Sequence, residues 1–489
     1  MRRGPTTAAG GDLPNLPVHR VFALLCAAAF LFISILSIIR HHTFHSALYD
    51  LGIFHQVLWN TARGLPFASS IKHMNYLGDH FSPSFALLSP LEWLPFPVEA
   101  LLVAQAAAEV LTAWSLFLLA RRHLDARLSL LIGIGTLFCP PLFVSTLSDV
   151  HPEIFMAAAL ARGLYDLDRD RPLPAALWLL LMLGGKEDAG LILLPLGLVL
   201  ATDVKHRRFG LLLALGSALW MALAFKVLMP MFRPPPRPGA AWFYLGRYSH
   251  LGGSLGEVVR SLLLHPLRSL WVSATWSKIL TLVLVLGVWG FSPLFGGLRA
   301  TAALPLLGAH FLSSRWEQFG YHFHYLVPMM PILAWAAIFG VRQSLGRWPA
   351  WLAVMVTLVS AKSVSDRLDI SQHQRWPHHA ALREAVAMIP PTASVCVQNW
   401  FGAHLSGRSQ VDFCSLWEIE RSQYNYFGWP EFSSATWQIF DLNIYPEQFP
   451  TLRGRLAALR AAGAQVMMDR EGVTVLRVDD GVLLRAALK

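Results

Sequence analysis

Long apolar runs separated by short polar segments make up most of this chain. Runs of about 15 to 25 residues approach or reach the length that a helix needs to cross a ~30 Å hydrocarbon core. The pattern predicts an α-helical polytopic membrane protein with about 11 transmembrane helices, to within one or two, because the break around residues 184–188 also fits one broken hairpin. The predicted spans are 21–39, 98–120, 128–146, 153–166, 173–185, 188–202, 209–229, 275–295, 298–313, 325–340 and 349–363.

Composition supports a membrane protein rather than a soluble one. The 489 residues are 54% apolar and 14% charged, with a mean hydropathy of +0.45. The net charge of +10 comes from short basic clusters between apolar runs, such as Arg121 and Arg122. That distribution follows the positive-inside rule and lacks the single basic face that nucleic-acid binding requires.

The positive-inside rule also predicts how the chain is oriented in the membrane. Residues 1–20 precede the first span and are predicted to be cytoplasmic; the first apolar run is expected to be a retained anchor, because Ser37 to Arg40 form a poor cleavage site. An odd number of spans then places the tail, residues 364–489, outside the membrane.

The tail is less apolar and predicts a small extracytoplasmic α/β domain. Helices are expected at 381–388 and 452–462, and strands at 394–398, 436–442, 465–468 and 473–478. Two cysteines of this domain, Cys396 and Cys414, could pair if the domain is outside the cell, and the sequence leaves that open. None of the four cysteines has metal-ligand spacing.

The first outer loop, residues 40–97, is the strongest candidate for chemistry, because simple helical bundles connect their first spans more tightly. Asp50 lies just past the first span, and the residues up to Arg63 predict an amphipathic helix on the membrane surface, with Gln56 and Asn60 on its polar side. A partly desolvated carboxylate there can act as a general base toward a hydroxyl group. An ordinary interfacial acid or helix cap explains Asp50 equally well.

Histidine recurs in three outward segments, together with other polar residues. Such a set fits either a Zn or Mn site, which leaves a divalent metal open as a cofactor, or a polar cavity that binds phosphate and sugar hydroxyls. No close-spaced ligand pair favours the metal, so no metal ligand is assigned. The candidates are Asp79 and His80 in the first loop, His151 and Glu153 in the next, and His324 and Tyr325 later.

Three consecutive charges, Lys186, Glu187 and Asp188, lie between two predicted spans. Charges at a membrane boundary are costly in lipid, so they are expected to face a cavity or one another, where Lys186 could bind a lipid phosphate. A plain hydrophilic turn is the alternative. Arg315 is a further outward cation that could bind the same anion, as are Arg247 and Lys278.

Several motifs together resemble the bacterial DUF2079 membrane proteins over nearly the whole chain. They are Tyr49 to Gln56, Gly78 to Pro83, Asp149 to Glu153, Lys186 to Asp188, and His324-Tyr325, with Ile389 to Ser394 and Asp441 in the tail. The family is similar in plan to the GT-C glycosyltransferases, which implies a multi-pass protein of the bacterial inner (plasma) membrane.

The GT-C resemblance implies transfer of a sugar from a polyprenyl-phosphate donor to an acceptor hydroxyl at the outer face, with Asp50 as the base and Asp79 as a second carboxylate. His80 and His151 would orient the base or contact phosphate, and Lys186 would neutralise the departing phosphate. The implied partners are this donor and membrane lipids. A clear DxD metal motif is missing from the loop.

Two other functions remain open on sequence grounds. A transporter or flippase would use the charges around Lys186 as a substrate or proton site reached from both sides of the membrane. A non-catalytic scaffold for envelope polysaccharide assembly would tolerate Asp50→Asn. No strong internal repeat supports a transporter built from duplicated halves.

Overall fold

Helices occupy every one of the eleven predicted spans. The computed structural model describes residues 17–239, 243–343, 348–367, 370–414, 425–427, 433–443 and 449–481. The first nine helices are α1 (Val18–His42), α2 (Ile53–Ala62), α3 (Pro97–Arg121), α4 (Ala126–Leu137), α5 (Pro140–Thr146), α6 (Pro152–Asp168), α7 (Pro172–Leu183), α8 (Gly190–Ala201) and α9 (Arg207–Leu223).

The second half of the helical region contains shorter helices and two long ones near its end. These are α10 (Met229–Phe232), α11 (Leu255–Leu264), α12 (Pro266–Ser273), α13 (Trp276–Gly287), α14 (Leu304–Phe311), α15 (Trp316–Phe319), α16 (Met330–Gln343) and α17 (Trp348–Arg367). Short 3-10 segments at Phe243–Tyr248, Gly297–Ala303 and His324–Met329 connect or extend them.

Four helical segments are individually long and apolar enough to cross a membrane, among the residues that the structure describes. They are Val18–His42, Pro97–Arg121, Arg207–Phe232 and Trp316–Arg342, and two bent pairs would raise the number to six. The predicted span 128–146 is one of those pairs, since α4 and α5 meet at 47°. Pro140 and Pro141 cause the break, because proline lacks the N–H that would continue the helix. The count of about eleven crossings stays a prediction.

The helices pack around a core formed mainly by α3, α6, α8 and α16. Glycine permits a close contact where α8 meets α9: a Cβ added to Gly197 would lie 2.5 Å from the carbonyl oxygen of Gly210. Small residues allow such close approach of helix backbones within membranes.

The first loop folds into a compact unit. A π-helical turn at Leu48–Gly52 leads directly into α2, and a two-stranded antiparallel ribbon follows, β1 (Ala68–Ser69) with β2 (Met74–Asn75). The polar side predicted for α2 is only partly exposed, since Arg63 at its end reaches the surface. Gln56 and Asn60 are buried, because Gln56 bonds Ser70 and the backbone of Arg408 while Asn60 bonds a loop carbonyl.

The tail contains a five-stranded sheet in the order β4-β3-β5-β7-β6. β3 pairs in parallel with β4 and β5, whereas β7 pairs antiparallel with β5 and β6. Cys396 and Cys414 are buried free thiols here. The elements are α18 (His378–Met388), β3 (Val395–Val397), α19 (Asn399–Gly402), β4 (Val411–Phe413), β5 (Trp437–Asp441), α20 (Phe449–Ala461), β6 (Gln465–Arg470) and β7 (Val473–Arg477).

The tail and the first loop share one apolar core, which includes Leu48, Val57, Val395 and Phe413. β4 lies at an edge of the tail's sheet, and Ser70 of the first loop covers it: the Ser70 hydroxyl donates to the Val411 carbonyl (2.9 Å) and accepts from the Val411 N–H (2.8 Å). The two units therefore lie at the same end of the helical bundle.

Candidate active site

A polar cavity of about 190 Å³ opens where the first loop meets the helical bundle. It is lined by residues of the first loop, the start of α6, the turn before α8 and the segments at 244–247 and 315–325. Ten candidates from the sequence line it: Asp50, Asp79, His80, His151, Glu153, Lys186, Arg247, Arg315, His324 and Tyr325. Glu187 contacts the lining residue His80, and Asp188 lines a small recess beside Lys186.

Asp50 is half-buried in the π-helical turn. Hydrogen bonds from the helical bundle and from the tail hold the backbone just before it. The buried Asp149 accepts a hydrogen bond from Arg40 (2.9 Å) and another from the N–H of Ala47 (3.1 Å), just before the turn. The N–H of Tyr49 donates to an oxygen of Asn399 in the tail (2.9 Å). Bundle and tail together thus hold the turn that carries the carboxylate.

Asp79, the second carboxylate implied by the resemblance, is buried in an ion pair with Lys72 (2.8 Å). The Lys72 ammonium also lies 3.1 Å from the hydroxyl oxygen of Tyr49, the residue that precedes Asp50 in the chain. The buried ammonium group of Lys72 thus already binds the Asp79 carboxylate. Asp79 therefore fits a positioning role better than proton abstraction.

His80 pairs with Glu187 across the cavity wall. Its Nδ1 lies 2.9 Å from Glu187 Oε1, and the other carboxylate oxygen accepts from the N–H of Phe81. Burial acts to lower the pKa of His80, but the carboxylates of Glu187 and Asp79 raise it above the ordinary 6.5. The pair fastens the first loop to the turn before α8.

Lys186 and Glu153 form a second buried pair, with Nζ and Oε1 2.5 Å apart. Beside them the rings of His151 and His324 stack with centroids 3.8 Å apart. Burial lowers the pKa of the His151 imidazole well below 6.5, and the neighbouring His324 and Lys186 lower it further, so the His151 ring is neutral. The side-chain oxygen of Gln105 in α3 accepts a hydrogen bond from the backbone N–H of His151 (2.8 Å) and so fixes the backbone at this position.

The ligand atoms of His151, Glu153 and His324 lie within 4.8 Å of one another, a set that could hold a divalent metal. The Lys186 ammonium already lies against one of the two carboxylate oxygens of Glu153 and places a positive charge beside the set. These residues therefore suit a resident ammonium group better than a metal ion, and the chemistry below needs no metal.

Two guanidinium groups, those of Arg247 and Arg315, also line the cavity and are half-buried. Arg247 lies over the ring of Tyr244 (4.4 Å), and its carbonyl accepts from the N–H of Ser314 (2.8 Å), which ties the two segments together. Within the described parts of the chain, neither guanidinium forms an ion pair with a carboxylate. An anionic ligand would supply that missing partner.

An apolar groove of about 370 Å³ adjoins the polar cavity and shares Pro152 with it. The groove runs between α3, α6 and α7. Small side chains open it on α3 and α6, and larger ones line its sides: Ala104, Ala107, Ala108, Ala158 and Ala159, with Phe155, Trp178 and Leu181. A polar cavity that continues into an apolar groove suits an amphiphilic ligand.

A family model described as predicted membrane protein (DUF2079) matches residues 40–433, which is most of the chain. The chain belongs to the DUF2079 family. None of the curated proteins matches it in sequence.

Solved structures relate the fold of this DUF2079 protein to that of ArnT from Cupriavidus metallidurans. The apo ArnT structure aligns with a TM-score of 0.53 and 14% identity over 95% of this chain and 99% of ArnT. ArnT bound to undecaprenyl phosphate gives a TM-score of 0.50 and 13% identity over 94% and 99%. An oligosaccharyltransferase of Archaeoglobus fulgidus aligns at 0.44 and 12% over 93% and 74%. The GT-C-like helical fold expected from the sequence agrees with the ArnT similarity.

Sequence reasoning missed several residues that position the site of the DUF2079 protein. Lys72 and Tyr244 lie in segments with no motif, so nothing local indicated them. Asp149 belongs to one of the motifs shared with the DUF2079 proteins, but its pair with Arg40 was missed, although two opposite charges next to predicted spans are expected to pair. Their 109-residue separation hid which partner each would take.

Proposed function

We propose that this protein is a membrane glycosyltransferase that transfers a sugar from a polyprenyl-phosphate donor to an acceptor hydroxyl at the outer face of the membrane. One observation carries the proposal: a single cavity combines the half-buried carboxylate of Asp50 with the guanidinium groups of Arg247 and Arg315, and an apolar groove adjoins it.

Asp50 acts as the general base. Its carboxylate takes the proton of the acceptor hydroxyl as that oxygen attacks the anomeric carbon of the donor sugar, and the bond from this carbon to the phosphate oxygen breaks. Attack from the face opposite the phosphate inverts the anomeric configuration. The products are the glycosylated acceptor, protonated Asp50 and free polyprenyl phosphate.

Arg247 and Arg315 bind the phosphate, whose negative charge grows as it leaves. They are better suited to this task than Lys186, the cation favoured by the sequence, because Glu153 already balances the charge of Lys186. His80 is likewise balanced by Glu187. In this assignment both pairs hold the cavity walls in place, and the rings of His151 and His324 bond sugar hydroxyls.

The apolar groove between α3, α6 and α7 receives the first isoprene units of the donor. Its small side chains leave room for a branched chain, and the shared Pro152 places the groove at the edge of the phosphate site. ArnT, a protein similar to this one in fold, has been crystallised with undecaprenyl phosphate, which supports a donor of this class.

The test is release of free polyprenyl phosphate from a panel of polyprenyl-phosphate sugars by the purified protein, followed by mass spectrometry. Wild-type protein is expected to release it. Asp50→Asn is expected to lower the rate of release about 10²- to 10⁴-fold, the usual contribution of a general base. Asp170→Asn is the matched control, because Asp170 is an exposed carboxylate at the other end of the bundle.

Each result decides a separate part of the proposal. Wild-type protein that releases no polyprenyl phosphate from any donor and acceptor pair would refute the glycosyltransferase assignment. Release that survives in Asp50→Asn would keep the reaction but remove Asp50 as the base. Retained anomeric configuration in the product, measured by NMR, would exclude a single inverting displacement.

A further inference from the structure

A second cavity, of about 420 Å³, lies at the opposite end of the bundle from the active site. The ends of α6 show the separation: Pro152 at its start lines the active site, and Asp168 at its end lines the second cavity. Seventeen helical residues span about 25 Å. This is also the end that the positive-inside rule assigns to the cytoplasm.

The second cavity contains two carboxylates that already have partners. Asp168 binds Arg122 (2.5 Å) and His123 (2.7 Å), and Asp203 binds His206 (2.9 Å). The side chain of Asp203 is nevertheless 57% exposed, so it can accept further hydrogen bonds from a ligand at the mouth of the cavity.

Arg299 is the cation of this cavity that has no carboxylate partner among the described residues. Its guanidinium lies 3.7 Å from the centre of the Phe339 ring and 5.3 Å from that of Trp335. Its Nε is buried and makes no hydrogen bond within the described chain. A guanidinium carries five N–H donors, so one held between aromatic rings without an acceptor is prepared for an anion from outside the chain.

The remaining walls are apolar and include Leu164, Val199 and Leu298. Leu298 is also 59% exposed on the outer surface of the bundle, where lipid chains would surround it. A ligand of this cavity therefore combines an anionic group for Arg299 with apolar chains that can leave along the surface.

We propose that the second cavity binds a phospholipid with an amine headgroup, of the phosphoethanolamine type. The phosphate contacts Arg299, the ammonium group contacts Asp203 at the mouth, and the acyl chains extend past Leu298 into the surrounding leaflet. This lipid site is separate from the active site and does not depend on the reaction proposed above.

The test uses the full-length protein extracted in mild detergent and exchanged into equimolar phosphatidylethanolamine and phosphatidylglycerol, with retained lipids counted by native mass spectrometry. Wild-type protein is expected to retain one phosphatidylethanolamine. Arg299→Gln is expected to lower this retention at least tenfold. Asp203→Asn is expected to keep a phospholipid but to lose the preference for the amine. Arg208→Gln is the matched control, since Arg208 is exposed near this end but does not line the cavity.

Equal retention of the two lipids by wild-type protein would overturn the headgroup assignment, and this comparison needs no variant to fold. Unchanged retention by Arg299→Gln, in a protein whose unfolding temperature matches wild type, would overturn the site itself. Equally tight binding of water-soluble glycerophosphoethanolamine would show that the ligand is not a lipid and would overturn the proposal.

Discussion

Replacing Asp149 with asparagine tests whether the buried pair with Arg40 holds Asp50 in place. The two side chains are only 8% and 5% exposed, and their charged atoms are 2.9 Å apart. At an effective dielectric constant of ~20, their attraction is about 6 kcal/mol, much of which offsets the cost of removing both charges from water. Asp149→Asn keeps the shape but leaves Arg40 buried without a counter-charge.

We expect Asp149→Asn to lower the free energy of unfolding by about 3–5 kcal/mol, the usual cost of breaking a buried pair on one side. The rate of donor turnover should fall as well, by about 10²-fold for a shift of Asp50 near 1 Å, because the N–H of Ala47 loses a charged acceptor. Titration with SDS in detergent micelles, followed by tryptophan fluorescence, measures the stability.

The double variant Arg40→Gln with Asp149→Asn supplies the decisive comparison. Removal of both charges leaves no buried ion alone, so the double variant should be more stable than either single variant. Asp170→Asn, in an exposed pair, should unfold like wild type. Wild-type stability of Asp149→Asn, or a double variant no more stable than the singles, would refute the reasoning.

Three further predictions concern the active site. Arg315→Gln should lower kcat/KM for the donor about 10- to 100-fold in initial-rate measurements, since a hydrogen bond to a charged group contributes about 1.5–3 kcal/mol; an unchanged kcat/KM would remove Arg315 from the phosphate site. The raised pKa of His80 means that its pair with Glu187 stabilises the fold fully below pH 6.5 and less as the pH rises through the raised value. The unfolding temperatures of wild type and His80→Gln should therefore converge between pH 6 and pH 9, and a constant difference would contradict the pairing. EDTA should not abolish turnover, because the Lys186 ammonium already binds Glu153; loss of turnover that Mn²⁺ restores would show that a metal replaces it.

Sequence reasoning located the helices well because apolar length and proline position are local properties of the chain. It also pointed to residues in distant segments, from Asp50 to His324, that the structure places around one cavity. That grouping followed from orientation alone, since every outward segment must emerge at the same end of the bundle. The catalytic roles given to these residues stay predictions.

The sequence could not show which charges neutralise one another. Lys186 was predicted to bind phosphate while Glu187 or Asp188 oriented it, but its closest partner is Glu153, 33 residues earlier. The polar side of α2 was likewise assigned to water, because the partner of Gln56 at Arg408 is 352 residues away. Pairing over such distances depends on tertiary structure, which local patterns do not encode.

The contact between Ser70 and Val411 has a consequence for biosynthesis. These residues are 341 positions apart, so at about 5–20 residues per second the first loop waits roughly 20 to 70 s for the strand that covers it. During that interval the cavity has walls from the bundle but no support from the tail. A chain truncated before α19 would keep Asp50 yet lack both Asn399, which binds the backbone of Tyr49, and the strand that pairs with Ser70, so the site can be assembled only after the tail has been synthesised.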